Sequence, residues 1–168
     1  MARWKQTPDE AYRFARGETI NYLGQPIRKA EPLDFLAVTD HSENIGVFNQ
    51  LDDPNSEFSL SEVGRIARKG GAEAFTEIRK YTLDGRHMPG DTRAVTASAW
   101  KRNIDAANEN YRPGRFTTFI AYEWTSMIDG ANLHRNVIFR NAIVQGHPTT
   151  YIETPTPQGL WAALRAEC

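Results

Sequence analysis

The spacing of apolar and polar residues changes several times along the chain, and each change marks an element. Thr7, Pro8 and Glu10 have the pattern of an N-cap, a first helical residue and a capping-box partner. Ala11, Phe14 and Ala15 continue that helix, and Gly17 is placed to end it. Residues 18–33 hold Gly24, Pro26 and Pro32 and read as an irregular connection. The apolar run 35–38 predicts a buried strand over 34–39, closed by polar residues from Asp40 onward. A short helix is expected over 43–51, followed by a turn at Asp52-Asp53-Pro54-Asn55. A second capping box, Ser59-Leu-Ser-Glu62, opens a helix to about residue 69. Gly70-Gly71 separates it from another helix over about 72–81.

After a loop over 84–90, a long helix is predicted from Asp91 or Thr92 to about residue 110. Its apolar positions are Val95, Ala99, Ile104 and Ala107. Pro113-Gly114 ends that region. Residues 116–125, rich in aromatic and β-branched types, predict a strand, and 133–139 a second. Between them Asp129-Gly130 is a hairpin turn signal. Thr156-Pro157 opens a last helix carrying Leu160, Trp161, Ala163 and Leu164. The order is helix, strand, several helices, strand pair, helix, which is an α/β or α+β pattern.

Composition narrows the class. The chain has 168 residues, 40% hydrophobic and 24% charged, which suits one domain and excludes collagen, coiled coil and wholesale disorder. A formal net charge of −1 gives no global attraction to nucleic acid or anionic membrane. No run approaches the roughly 18 apolar residues of a membrane span, and the opening MARWKQTPDE has no apolar core of a signal peptide. The single cysteine, Cys168, excludes an internal disulfide and a cysteine-based zinc site, and leaves the redox compartment open. There is no G-x-G-x-x-G, P-loop, G-x-S-x-G or His-Glu-x-x-His motif. The short aromatic and basic stretches at 12–16 and 100–102 read as amphipathic helix faces rather than as nucleic-acid contacts.

Three places set polar residues against apolar strands. Asp40-His41 follows the run 35–38, at the carboxyl end of its strand, where α/β folds build ligand sites. Both residue types suit zinc, manganese or iron; equally, Asp40 can cap a helix and His41 can occupy a turn. Glu123 emerges from the apolar run 119–122, where an acid must be paired, metal-bound or able to reach water. His134 is the third. A loop of Asp129 and Gly130, with Ile128 facing Ala131, puts Thr125 opposite His134 and Glu123 opposite Asn136. Glu123, Thr125, His134 and Asn136 then share one face, and Arg135 takes the other, where an acid is its expected partner. A hydrogen-bonded strand histidine is the alternative for His134. His87 and His147 lie in turn-like loops and are weaker candidates.

At these residues the chain resembles a known family. Pro8-Asp-Glu-Ala-Tyr-Arg-Phe-Ala-Arg-Gly-Glu18, Pro32-Leu-Asp-Phe-Leu-Ala-Val-Thr-Asp-His-Ser-Glu-Asn44, Ala121-Tyr-Glu-Trp-Thr-Ser126 and Asn132-Leu-His-Arg-Asn-Val-Ile-Phe-Arg140 look like the family catalogued as domain of unknown function 3604. That family is similar to the polymerase-and-histidinol-phosphatase (PHP) superfamily of metal-dependent phosphoesterases. The resemblance implies an α/β fold, part of a distorted (β/α) barrel, with a centre of two or three divalent ions. It implies His41, Glu123 and His134 as metal ligands, with Asp40 beside them. Arg135 and Asn136 are then expected to orient substrate or supporting groups.

The superfamily's opening His-x-His motif and its later histidine and Asp-x-His motifs are not found in these residues. The chain is therefore expected to be an internal piece of a longer protein, a single PHP-like domain fragment over 1–168 with an incomplete barrel. Its expected partners are a small-molecule substrate of phosphoester type and the remainder of the parent chain, with no nucleic acid and no membrane. Relatives of this kind imply a periplasmic or secreted parent. The expected function is a metal-dependent hydrolase using metal-activated water, with little turnover from the fragment alone. The rival expectation is a non-catalytic binding or scaffold domain whose polar cluster serves hydrogen bonding.

Overall fold

The computed structural model describes residues 6–130 and 132–167. Helix α1 (Pro8–Ala15) starts as the sequence predicts. The Thr7 hydroxyl accepts from the Glu10 amide at 3.2 Å, and the Glu10 carboxylate accepts from the Thr7 amide at 3.0 Å. Residues 18–33 hold more order than expected, for β1 (Ile20–Tyr22) and β2 (Gln25–Ile27) form a small antiparallel hairpin. Its two-residue turn has Leu23 at φ 52° and Gly24 at φ 83°, the doubly positive conformation that matches strand twist. Three-residue strands containing a proline carry too little alternation to read from sequence.

Strand β3 (Phe35–Ala37) is shorter than predicted and not fully buried; Phe35 is 64% exposed. The reason is that β3 pairs, among the described residues, with β4 (Thr117–Phe119) alone, in parallel, Ala37 beside Phe119. The predicted strand over 116–125 is divided at Ile120 into β4 and β5 (Ala121–Ser126), because the partner changes there. β4 runs beside β3, whereas β5 pairs antiparallel with β6 (Leu133–Ile138). The Ile120 carbonyl accepts from the Phe139 amide at 2.9 Å, extending that second pair past the break.

The intervening helices follow the predicted order with shifted starts. A 3-10 turn covers Val47–Asp52. The Ser59–Glu62 capping box does not form. Ser59 belongs to a one-turn helix α2 (Glu57–Leu60), and Ser61 caps α3 (Glu62–Lys69) by accepting from Gly64. Helix α4 (Gly71–Leu83) follows Gly70, and α5 (Arg93–Asn110) is capped by Thr92. Helix α6 (Pro157–Glu167) closes the order.

The main core gathers Tyr12 of α1, Trp100 and Ala107 of α5, Tyr122 and Trp124 of β5, and Leu160 of α6. Trp100 meets Tyr122 edge-on at 5.7 Å between ring centres, and its indole N–H donates to the Gln145 carbonyl. A smaller core of Val47, Phe58, Val63 and Met88 lies among the shorter helices. The chain is thus a mixed α/β fold of helices and three two-stranded sheets, with no closed barrel among the described residues.

The smaller core makes one test local. A methyl group on Gly64 would stand 1.7 Å from the Phe58 carbonyl oxygen, which is backbone and cannot swing aside. Gly64→Ala must therefore part α2 from α3 over fully buried Phe58. A loss of about 1–3 kcal/mol is expected from denaturant midpoints.

Candidate metal centre

The parallel pairing of β3 with β4 carries the chain past Val38 along the flank of β5. The Glu123 amide donates to the Asp40 carbonyl at 2.8 Å, and the Ser42 amide to the Glu123 carbonyl at 2.7 Å. His41 is thereby held beside Glu123 in a parallel bridge. Tyr12 braces this arrangement from α1. Its hydroxyl donates to the Phe119 carbonyl at 3.0 Å and accepts from the Val38 amide at 3.4 Å, and burial pushes its own pKa up. The other half comes from the hairpin. Thr125 faces His134 and Glu123 faces Asn136, the register the sequence predicts. The turn differs, since the last pair is Ser126 with Leu133 and Asp129 sits at φ 52° within a 3-10 turn. The expected pairing of Ile128 with Ala131 falls on a residue outside those described.

Three side chains converge. The His134 Nδ1 lies 2.5 Å from Glu123 Oε1, and the His41 Nε2 lies 3.7 Å from Glu123 Oε2. The two imidazole rings are 5.8 Å apart between centres. His41, Glu123 and His134 each offer one ligand atom, and those atoms lie within 4.8 Å of one another. Two imidazoles and a carboxylate are a donor set suited to a divalent ion.

Behind these three stand two residues to which the sequence analysis gave no role. Thr125 is buried, and its Oγ1 lies 2.9 Å from His41 Nδ1 and 3.0 Å from His134 Nδ1. Glu43 has only 4% of its side chain exposed. Its Oε1 accepts from the Thr125 amide at 3.2 Å, the Tyr151 amide at 2.9 Å and the Ser42 hydroxyl at 3.2 Å. Its Oε2 is buried without a hydrogen bond and lies 3.7 Å from His41 Nδ1. Glu43 raises the His41 pKa most, burial opposes, and Glu123 and Asp40 add to the rise. No spacing in the sequence signals Glu43, because the chain bends at Ser42 and turns from residue 43, so strand alternation does not carry from His41 to it.

The remaining candidates fall around this group. Asp40 is not one of the three ligand residues. It lines a groove of about 900 Å³ together with His41, Glu43 and Asn44. Partial burial in that groove raises its carboxyl pKa, and the neighbouring His41 opposes the rise. Asn136 is exposed beside Glu123 on the ligand face. Arg135 lies opposite Trp124 on the other face, and its guanidinium donates to the His134 carbonyl at 2.8 Å rather than to an acid. His87 pairs with Asp91 at 2.6 Å and His147 with Glu153 at 3.1 Å, both away from the three ligand residues.

Comparison with known proteins places the chain in a family without assigning it an activity. No curated protein and no solved structure matches the chain. The model of the family described as "Protein of unknown function (DUF3604)" matches residues 1–168. The chain, over its whole length, belongs to that family.

Proposed function

We propose that this chain carries the divalent-metal centre of a PHP-like metal-dependent hydrolase acting on small-molecule phosphoesters. The observation that carries the reading is the convergence of His41, in the segment that follows β3, with Glu123 of β5 and His134 at the start of β6. Zinc, manganese and iron all accept this mixed nitrogen and oxygen set. When bound, such an ion supplies an acidified water and polarises a phosphoryl oxygen. The chain's own residues do the rest. Glu123 contributes negative charge that offsets the ion's, and the imidazoles contribute neutral donors. Asn136, on the same face, is positioned to donate its amide hydrogens to substrate oxygens. Arg135, on the far face, supports His134 through its carbonyl. The parallel β3–β4 pair flanked by α1 and α5 supports reading the fold as one sector of a PHP-like (β/α) barrel.

A second reading has its own support. The His134 Nδ1 is already satisfied by Glu123 and Thr125 without any ion, as expected of a polar cluster in a non-catalytic binding or scaffold domain. Metal analysis separates the two. The hydrolase reading expects bound transition metal after purification, a melting temperature lowered by chelator, and at this chain length only slow, metal-dependent cleavage of p-nitrophenyl phosphate. At one hundred times the dissociation constant, metal should stabilise by about 2.7 kcal/mol. Absence of metal uptake and of any chelator effect would sink the hydrolase reading and leave the scaffold.

A further inference from the structure

The end of the β3–β4 pair opposite His41 carries a second cleft, apart from the metal centre. Leu33 leads into β3 and Phe116 into β4, and the two strands run parallel, so both residues lie at the amino ends. With Arg16, Pro32 and the turn before Phe116 they enclose about 370 Å³, room for a small ligand. Backbone bonds fix these walls. The Leu33 amide donates to the Ala15 carbonyl and the Thr117 amide to the Asp34 carbonyl, both at 2.8 Å. The turn is Arg112-Pro113-Gly114-Arg115, with the Arg115 amide donating to the Arg112 carbonyl at 2.9 Å and Gly114 at φ 72°. Proline second and a left-handed glycine third is the pattern that closes such a turn, and it brings the first and fourth residues within about 7 Å. Two arginines are thereby set side by side on one wall of the cleft.

The carboxylate that lines the cleft, Glu18, is already neutralised. Its Oε2 accepts from Arg13 at 2.9 Å and its Oε1 from Arg16 at 2.5 Å, and these bonds, that of Arg13 foremost, hold its pKa below the ordinary value. Arg112 and Arg115 pair with no carboxylate among the described residues. Arg112 donates through one terminal nitrogen to the Glu109 and Tyr111 carbonyls, at 2.7 and 2.9 Å, which caps the end of α5 and leaves its other two nitrogens unbonded there. The Arg115 side chain has no hydrogen bond among the described residues. A planar guanidinium held by one nitrogen presents the rest of its fork to an oxyanion. We propose that this cleft binds a phosphate group, with Arg112 and Arg115 as its two cations. Two positive charges without acid partners match the nearly two negative charges of a phosphate monoester at neutral pH. Pro32 and Leu33 supply an apolar wall beside them.

Amide NMR of the protein stripped of metal, with the chelator dialysed away, tests this using inorganic phosphate and phenyl phosphate as probes. Either probe should shift the amides of Arg112, Gly114, Arg115 and Phe116 saturably in the millimolar range, whereas chloride at equal ionic strength should not. Arg115→Gln should weaken binding by about tenfold, the scale of one charge-assisted hydrogen bond. It should leave the denaturant midpoint unchanged, because that side chain bonds to nothing in the described fold. Arg115→Lys, which keeps the charge, should recover part of the affinity. Tighter binding of phenyl phosphate assigns the site to phosphomonoesters lying on Pro32 and Leu33; equal binding assigns it to free phosphate. Shifts no larger than those with chloride overturn the proposal, and so does an Arg115→Gln protein of unchanged affinity. Either result would leave Arg112 as a cap of α5 and nothing more. Because no ion is bound at His41, Glu123 and His134 in these measurements, their outcome is independent of the hydrolase reading.

Discussion

Glu43→Ala should destabilise the protein by about 2–5 kcal/mol, seen as a lower denaturant midpoint with an unchanged slope. The carboxylate is buried and one of its oxygens collects three donors from separate parts of the chain. They are Ser42 beyond β3, Thr125 in β5, and Tyr151 in the segment before α6. Removing it leaves two backbone amides without an acceptor, each costing about 1–3 kcal/mol when water cannot reach it. Cavity formation adds to this. Glu43→Gln keeps an oxygen for the two amides and should retain most of the stability. An alanine variant as stable as the wild type would mean that water or a rearranged side chain replaces the carboxylate.

His134→Ala should lower metal affinity by at least about tenfold, the least expected when even a supporting partner of a metal site is lost. The imidazole is 43% exposed and its contacts are Glu123 and Thr125, both of which keep other positions in the strand. Stability of the metal-free protein should therefore change by no more than about 0.5 kcal/mol, as for other surface substitutions. Calorimetric titration with zinc, paired with denaturation in chelator, measures both quantities. The opposite outcome, metal uptake unchanged and the metal-free fold weakened, would make His134 a structural strand histidine. It would also remove the local basis for the hydrolase reading.

Much of the local structure was legible because it is written in short-range chemistry. Thr7, Pro8 and Glu10 cap α1 through contacts within four residues, and Gly70 ends α3 where the sequence breaks. The facing of Glu123 with Asn136 and of Thr125 with His134 follows from a fixed two-residue alternation on either side of one turn. Errors arose where two local signals competed. Ser59 and Ser61 both head plausible caps, and Ser61 forms one because α2 already occupies residues 57–60. The hairpin over 20–27 escaped notice because each strand is a single three-residue step.

By itself the sequence determined α1, the order of the longer helices, the register of β5 with β6 and the face that carries Glu123, Thr125 and His134. It also set His41 at the end of an apolar run. Tertiary structure decided the rest. A parallel pair has no turn to set its register, so only the pairing of β3 with β4, continued by the bridge from His41 to β5, could bring His41 to Glu123, 82 residues away in the chain. The same packing divided the strand at Ile120 by giving its two halves different partners. It also drew Glu43 out of solvent, because its three donors come from elements that meet only in the folded chain. A buried carboxylate is stable only with such partners in place, and no spacing along the sequence encodes a partner 108 residues distant.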